Sequence, residues 1–381
     1  VKLALVHKSY GLDGGTERFA ESLARRLAQR GHEVEVYCAR VDPRFARTRT
    51  ARFHKLVGGG GFWGALVLLI SAALRIRREQ HDVVMHLGRT GPGRLYRAGG
   101  GCHRTWWELL LQRAATGGQR FRLTASPYHR LRLWHERRAL RRSVFVVPSQ
   151  RARQDLIEAY GSEANDVVVV PNGVDLDRFH PKGRQLFFAE VRQSLGLPPE
   201  ELVLLFVGSD FWRKGLDVVL KAVAKLGDEA GELRVLVLGD DPARPEFEAL
   251  AAQLDLRSRV TFLRSHDRVE TIYAACDLMA LPTRHDPFAN VTLEALASGL
   301  PTITSSSNGA IEVLDRGPGL VVVDDPNDVD AVAQAMVSLL DPARLHERQA
   351  SARGLAEACG EGAAVIAWED LLAGVAEDAR G

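Results

Sequence analysis

Short apolar runs, each closed by glycine or polar turn residues and followed by an amphipathic stretch, recur along this 381-residue chain. That alternation is what parallel sheets with crossover helices require, and it excludes all-helical and all-β folds. In the first half, Lys2–His7, Glu33–Cys38, Val83–His86, Arg97–Gly101, Val144–Pro148 and Val167–Val170 read as strands. Thr16–Arg30 and Arg151–Tyr160 read as helices, and an irregular basic stretch follows Cys38. After the Pro171-Asn172-Gly173 turn a second series begins, with strands at Leu202–Val207, Leu233–Leu238, Val260–Leu263, Leu278–Leu281, Thr302–Thr304 and Leu320–Val323. The length suits two domains. The expected fold class is therefore α/β, with two Rossmann-like domains facing a cleft and a boundary near 172–200. Ligands of such sheets lie at the carboxyl ends of the strands.

Charge is divided unevenly along the chain. Residues 1–180 carry 31 Lys/Arg against 16 Asp/Glu, and the remainder carries 19 against 32. A basic first half implies an anionic partner such as a membrane surface or a phosphorylated glycolipid. No nucleic-acid module is recognisable, so nucleic acid is not expected. The cysteines Cys38, Cys102, Cys276 and Cys359 have no paired spacing and read as small buried residues in a reducing compartment. The apolar start Val1–Val6 reads as a buried strand, not a signal peptide. Phe62–Leu74 is too short to span a bilayer. The expected location is the cytoplasm, or the inner face of the cytoplasmic membrane as a peripheral protein.

Three segments carry the chemistry. Gly11-Leu-Asp-Gly14-Gly15-Thr16-Glu17 links the first strand to a helix, where small residues and helix N–H groups suit close approach by an anion. It is not the GxGxxG dinucleotide fingerprint. Val207-Gly208-Ser-Asp-Phe-Trp-Arg213-Lys214-Gly215 places two adjacent cations on a loop after a strand. Arg and Lys there can neutralise a diphosphate, and they stabilise a departing one more than a bound one. Asp286-Pro-Phe288-Ala289-Asn290-Val291-Thr-Leu-Glu294 sets one carboxylate on a loop and a second on the following helix. A carboxylate is acceptor-only and can hold two sugar hydroxyls.

Asp286 to Glu294 resembles the Glu-x7-Glu signature of glycosyltransferase family 4, with Asp in place of the first Glu. Gly14-Gly15-Thr-Glu17, Pro171-Asn-Gly-Val-Asp175, Arg213-Lys214-Gly215 and Asn308-Gly309-Ala-Ile-Glu312 agree with that family in order and spacing. The resemblance implies the GT-B fold, a nucleotide-sugar donor, retention at the anomeric carbon and no metal or resident cofactor. Within the family, Val207–Gly215 and Tyr96–His103 are similar to transferases that add glucose from UDP-glucose to lipopolysaccharide core, although Gly99-Gly100-Gly101 stands where those carry an acidic residue. By matched position, Arg213 and Lys214 would bind the diphosphate and Glu294 the ribose. Asp286 and the Phe288–Val291 backbone would hold the sugar. Gly14, Gly15 and Gly208 would lie against the donor, and Arg264 and Ser265 would meet the base. The expected catalytic residues are Arg213, Lys214, Asp286 and His103, with His86 as the rival to His103. The resemblance also implies an acceptor domain over 1–175, a donor domain over 176–361, and a last helix at about 362–378 crossing back to the first.

Two elements are candidates for membrane contact: Phe62–Leu74 with Arg75, Arg77 and Arg78, and the arginine-rich Arg130–Arg142. The alternatives are a family 4 transferase with another donor and acceptor, or a nucleotide-sugar-binding protein without catalysis.

Overall fold

The computed structural model describes the chain except residues 12–13, 46–50, 60, 77–79, 89, 92, 165, 228–232 and 379–381. Arg77 and Arg78, and the Leu12-Asp13 part of the first glycine-rich turn, lie outside the described residues. The chain forms two compact units, Val1–Pro171 with Ala363–Gly381 and Asn172–Gly362.

The first unit is built on a seven-stranded parallel sheet. Its order is Arg52–Lys55, Glu33–Cys38, Lys2–Val6, Val83–Leu87, Leu95–Arg97, Val144–Val147, Val168–Val169. Residues of one strand alternate between faces. Leu3 and Leu5 face the helix Gly15–Gln29 through Leu23 and Leu27. Ala4 and Val6 belong instead to a small cluster with Leu68 and Ala72 of the helix Gly61–Arg75. The last helix, Glu361–Glu377, adds Val365, Trp368 and Leu372 to the Leu3/Leu5 core, and Trp368 meets Phe19 edge-on at 5.5 Å. A third cluster gathers Tyr96, Phe145, Ala152 and Leu156.

The second unit has a six-stranded parallel sheet ordered Val260–Leu263, Arg234–Leu238, Val203–Val207, Leu278–Leu281, Thr302–Ser305, Leu320–Val323. Its buried apolar residues form one continuous core. Numbered along the chain, its strands run 3-2-1-4-5-6, the doubly wound order. The main sheet of the first unit follows the same order with one strand more. Each sheet thus reverses direction beside its first strand: between Lys2–Val6 and Val83–Leu87, and between Val203–Val207 and Leu278–Leu281.

Some expected elements are corrected. The strand placed at Arg97–Gly101 is Leu95–Arg97, because Gly99–Gly101 forms a turn in which Gly101 has φ +70°. The stretch after Cys38 is not wholly irregular, since Arg52–Lys55 adds an edge strand. Helices His103–Arg113, Gly117–Ala125 and Pro342–Glu357 are additional to those expected. No described helix is long and apolar enough to cross a membrane. Burial pushes the Cys38 and Cys102 thiols up to about 12.

Candidate active site

In the second unit, the loops after Val203–Val207 and Leu278–Leu281 flank the point where strand order reverses. Both chemical motifs of this unit lie on them. Arg213 and Lys214 are not on an open loop as expected. They occupy a single helical turn, Phe211–Lys214. Asp210 opens this turn at φ 61°, a conformation Asp tolerates better than most residues, and its carboxylate caps the Arg213 N–H. Phe211 anchors the turn in the core, edge-on to Phe206 and Phe247. Gly215 closes it at φ +84°, where a Cβ would collide with the Pro282 carbonyl. The one-turn helix is therefore pinned at both ends and pressed against the loop that carries Asp286.

Asp286 is held from its backbone. Its N–H donates to the Ser307 carbonyl at 3.0 Å, and its carbonyl accepts from Gly309 N–H at 2.9 Å. Its Oδ1 accepts from Phe288 N–H at 3.1 Å. Its Oδ2 accepts from Lys214 Nζ and lies 3.3 Å from Arg213 Nη1. Arg213 also donates to Asp210 Oδ2 at 3.0 Å through Nε and to the His285 carbonyl at 2.8 Å. Asp286 and Lys214 are both buried. Burial alone would raise the Asp286 carboxyl, but Lys214 and Arg213 outweigh it and hold it at about 2. Burial lowers the Lys214 ammonium below its usual range, with Asp286 opposing that shift.

The other expected donor residues of this unit fall around this core. Gly208 packs against the Lys214 stem, 3.3 Å from where a Cβ would stand. Phe288 and Ala289 lead into the helix Asn290–Ala297. Ala289 N–H is already accepted by Asn308 Oδ1, and Asn290 Oδ1 accepts from Asn172 at 2.8 Å. The Asn290 and Val291 N–H groups stand in the first helical turn, where no intrahelical carbonyl serves them. Glu294 is buried on that helix and accepts from the Tyr273 hydroxyl at 3.0 Å. Arg264 and Ser265 are exposed beyond Val260–Leu263, with Ser265 bonded to Asp240.

Sequence reasoning assigned no role to two residues that organise this region. Asn308 is fully buried and bonds Ala289, Ala310, Thr292 and Thr304, tying the Asp286 loop to the sheet. Arg284 clamps Asp217 through both guanidinium nitrogens, at 2.8 and 2.9 Å, and donates to the Trp212 carbonyl. Its own N–H donates to the Arg213 carbonyl at 2.7 Å. The signal for Arg284 was its place two residues before Asp286, and for Asn308 its place in the Asn-Gly motif.

In the first unit, Gly14 precedes the helix that begins at Gly15. Glu17 in that helix accepts from Ser9 Oγ at 2.7 Å and lies 3.5 Å from His7 Nε2. Burial would raise its carboxyl, but His7 and Ser9 hold it at about 2. A polar cavity of about 300 Å³ opens beside the first strand, lined by His7, Lys8, Glu17, Thr90, Tyr128 and Arg132 among others. His103 is buried at the start of its helix. Its N–H donates to Glu136 at 2.8 Å, its ring is stacked on Trp106, and its Nε2 lies 3.2 Å from His129 Nδ1. His86 is buried too, and Gly91 and Gly93 crowd its ring so closely that any Cβ there would strike it.

Two family models match the chain: Glycosyltransferase Family 4 over residues 13–178 and Glycosyl transferases group 1 over 187–353. A D-inositol 3-phosphate glycosyltransferase of Mycobacterium marinum is 30% identical over 97% of this chain and 83% of that protein. Its namesake in Rhodococcus opacus is 36% identical over 62% of this chain, and the chain spans about half of that relative's length, 52%. Among solved structures, WaaG, a glycosyltransferase involved in lipopolysaccharide biosynthesis, superimposes with a TM-score of 0.77 at 24% identity, covering 96% of this chain and 99% of that one. Anabaena Alr3699/HepE in complex with UDP and glucose gives 0.73 at 18%, covering 98% and 99%. The two matched models, the near full-length relative and the shared fold place this chain in glycosyltransferase family 4, with the GT-B fold.

Proposed function

We propose that the chain is a retaining hexosyltransferase that moves glucose from UDP-glucose to a hydroxyl of a phosphorylated, lipid-linked acceptor of the lipopolysaccharide-core kind, without a metal. The observation that carries the donor half is the cluster of Arg213, Lys214 and Asp286 at the reversal point of the second sheet. Arg213 and Lys214 meet the diphosphate there and stabilise the charge that grows on it as the sugar–phosphate bond breaks. They supply in protein form the neutralisation that a divalent cation gives elsewhere. Glu294 takes the ribose hydroxyls and Asp286 those of the sugar. The departing phosphate accepts the acceptor's proton on the same face, so the configuration is retained.

The basic first unit supports an anionic acceptor. The helix Gly61–Arg75 buries Ala65, Leu68 and Ala72 and turns Trp63, Val67, Ile70 and Leu74 outward at helical spacing, with Trp63 73% and Leu74 78% exposed. The helix Pro127–Leu140 packs against it and exposes Trp134 beside Arg130 and Arg137. Apolar and aromatic side chains among arginines suit an anionic bilayer surface.

A second reading has its own support. The curated relatives are named for D-inositol 3-phosphate, and the cavity lined by Lys8, Arg132 and Thr90 would suit a free phosphorylated polyol. Release of nucleoside diphosphate from a panel of nucleotide sugars in chelator tests the donor, and adding truncated lipopolysaccharide or inositol phosphate separates the acceptors. Release from UDP-glucose, stimulated by the lipid-linked acceptor, is expected. No release with either acceptor, together with no nucleotide-sugar binding by calorimetry, would leave a non-catalytic protein or none of these functions.

A further inference from the structure

Asp286 has two oxygens with different work. Oδ1 is held by the Phe288 N–H, while Oδ2 serves Lys214 Nζ and Arg213 Nη1. The carboxylate assigned to the sugar is thus already shared by both cations. Arg213 is engaged twice more, by Asp210 and by the His285 carbonyl, whereas Lys214 Nζ donates to Asp286. In so buried a place, two anions cannot share one ammonium without strong mutual repulsion. A diphosphate arriving at Arg213 and Lys214 therefore competes with Oδ2 for the same two cations.

We propose that Asp286 is a stand-in counter-ion for the donor: the diphosphate replaces its carboxylate at Lys214 and Arg213, and the released carboxylate then turns to the hydroxyls of the transferred sugar. This rests on the donor reading of the site and adds an order of events to it. The backbone of residue 286 is tied on both sides by Ser307 and Gly309, so the exchange is confined to the side chain. The short Asp side chain, where the family signature has Glu, keeps the carboxylate close to its own loop. Sugar recognition becomes conditional on an occupied diphosphate site, and free sugar gains no hold on Asp286. The exchange has a cost, because part of the attraction between diphosphate and cations is spent in parting Lys214 from Asp286.

The sign of one substitution separates this from simpler roles. Asp286→Asn removes the competing anion and leaves an amide of nearly the same shape. Calorimetry with UDP and with uridine, on wild type and Asp286→Asn, reads the exchange directly. UDP is expected to bind the variant about tenfold more tightly, within the usual range for coupled sites, and uridine equally. Unchanged UDP affinity would mean that Asp286 serves the sugar alone. Weaker UDP binding with unchanged uridine binding would mean that it orients the cations. Either result overturns the exchange while leaving the donor reading in place. UDP binding to neither protein would overturn both. If Asp286→Asn fails to fold, a crystal structure of the wild-type protein with UDP decides: Asp286 still bonded to Lys214 beside a bound diphosphate contradicts the proposal, and a turned carboxylate supports it.

Discussion

The two units share one strand order but treat the reversal point of the sheet in opposite ways. In the second unit that point is filled by paired charges, Lys214 and Arg213 against Asp286, resting on one continuous core. In the first it opens into a polar cavity beside His7 and Lys8, and the apolar interior is split into three clusters. The contrast extends to the surface, where the first unit exposes Trp63, Ile70, Leu74, Phe121 and Trp134. The same topology can thus be tightened around a fixed set of charges or left open toward an outside partner. A site that must stabilise developing charge gains from donors fixed in advance, whereas a site for a large acceptor gains from accessible surface.

The largest effect expected from breaking this contrast is on stability. Leu205→Ala, in the buried strand that leads into the Arg213 turn, should destabilise the second unit by about 2–5 kcal/mol, read by denaturant titration. Acid should act on the same unit. The Asp286 carboxyl is depressed to about 2, so its stabilising contribution is complete above the unfolded-state value of about 3.9 and is lost as pH falls toward 2. The loss should be on the order of 2 kcal/mol. Between pH 5 and 2, Asp286→Asn should lose less stability than wild type, and parallel curves would contradict the pairing. Arg284→Met should lower kcat by about tenfold with a smaller change in donor KM, since Arg284 positions the Arg213 turn without being assigned to the donor. Lysine at this position should restore part of that rate. A melting temperature that falls with unchanged kcat would reduce Arg284 to a structural role. The smallest effect is expected on the exposed helix. Trp63→Ser should change stability by less than about 0.5 kcal/mol, yet weaken sedimentation with anionic vesicles. Unaltered vesicle binding would remove this helix from the membrane account.

Much of the second unit was legible because its central strands Val203–Val207 and Leu278–Leu281 are buried throughout and read as unbroken apolar runs. The first unit hid more. Arg52–Lys55 is a polar edge strand with one apolar residue, Phe53, so neither alternation nor a continuous run marks it. His103–Arg113 mixes Trp, Leu and Arg without a clean helical period, and Gly117–Ala125 exposes most of its residues. Around the site, residue types were legible and their mutual engagement was not. Arg213 and Lys214 were recognisable as adjacent cations, but four residues are too few for periodicity to disclose the helical turn they share. That Asp286 reaches back across 72 residues to Lys214 depends on strand order, which spacing along the chain does not encode. His103 and His86 illustrate the same limit: both were plausible from type and position, and both are packed inside the first unit.

The central claim is that Arg213 and Lys214 form the diphosphate site of a UDP-glucose-dependent transferase. Its most direct test is turnover of UDP-glucose, in chelator and with a truncated lipopolysaccharide acceptor, by wild type and by Arg213→Ala. The account predicts measurable transfer by wild type and a loss of roughly 10²- to 10³-fold in kcat for the variant, the usual scale for one transition-state donor. Near-normal turnover by Arg213→Ala would contradict it.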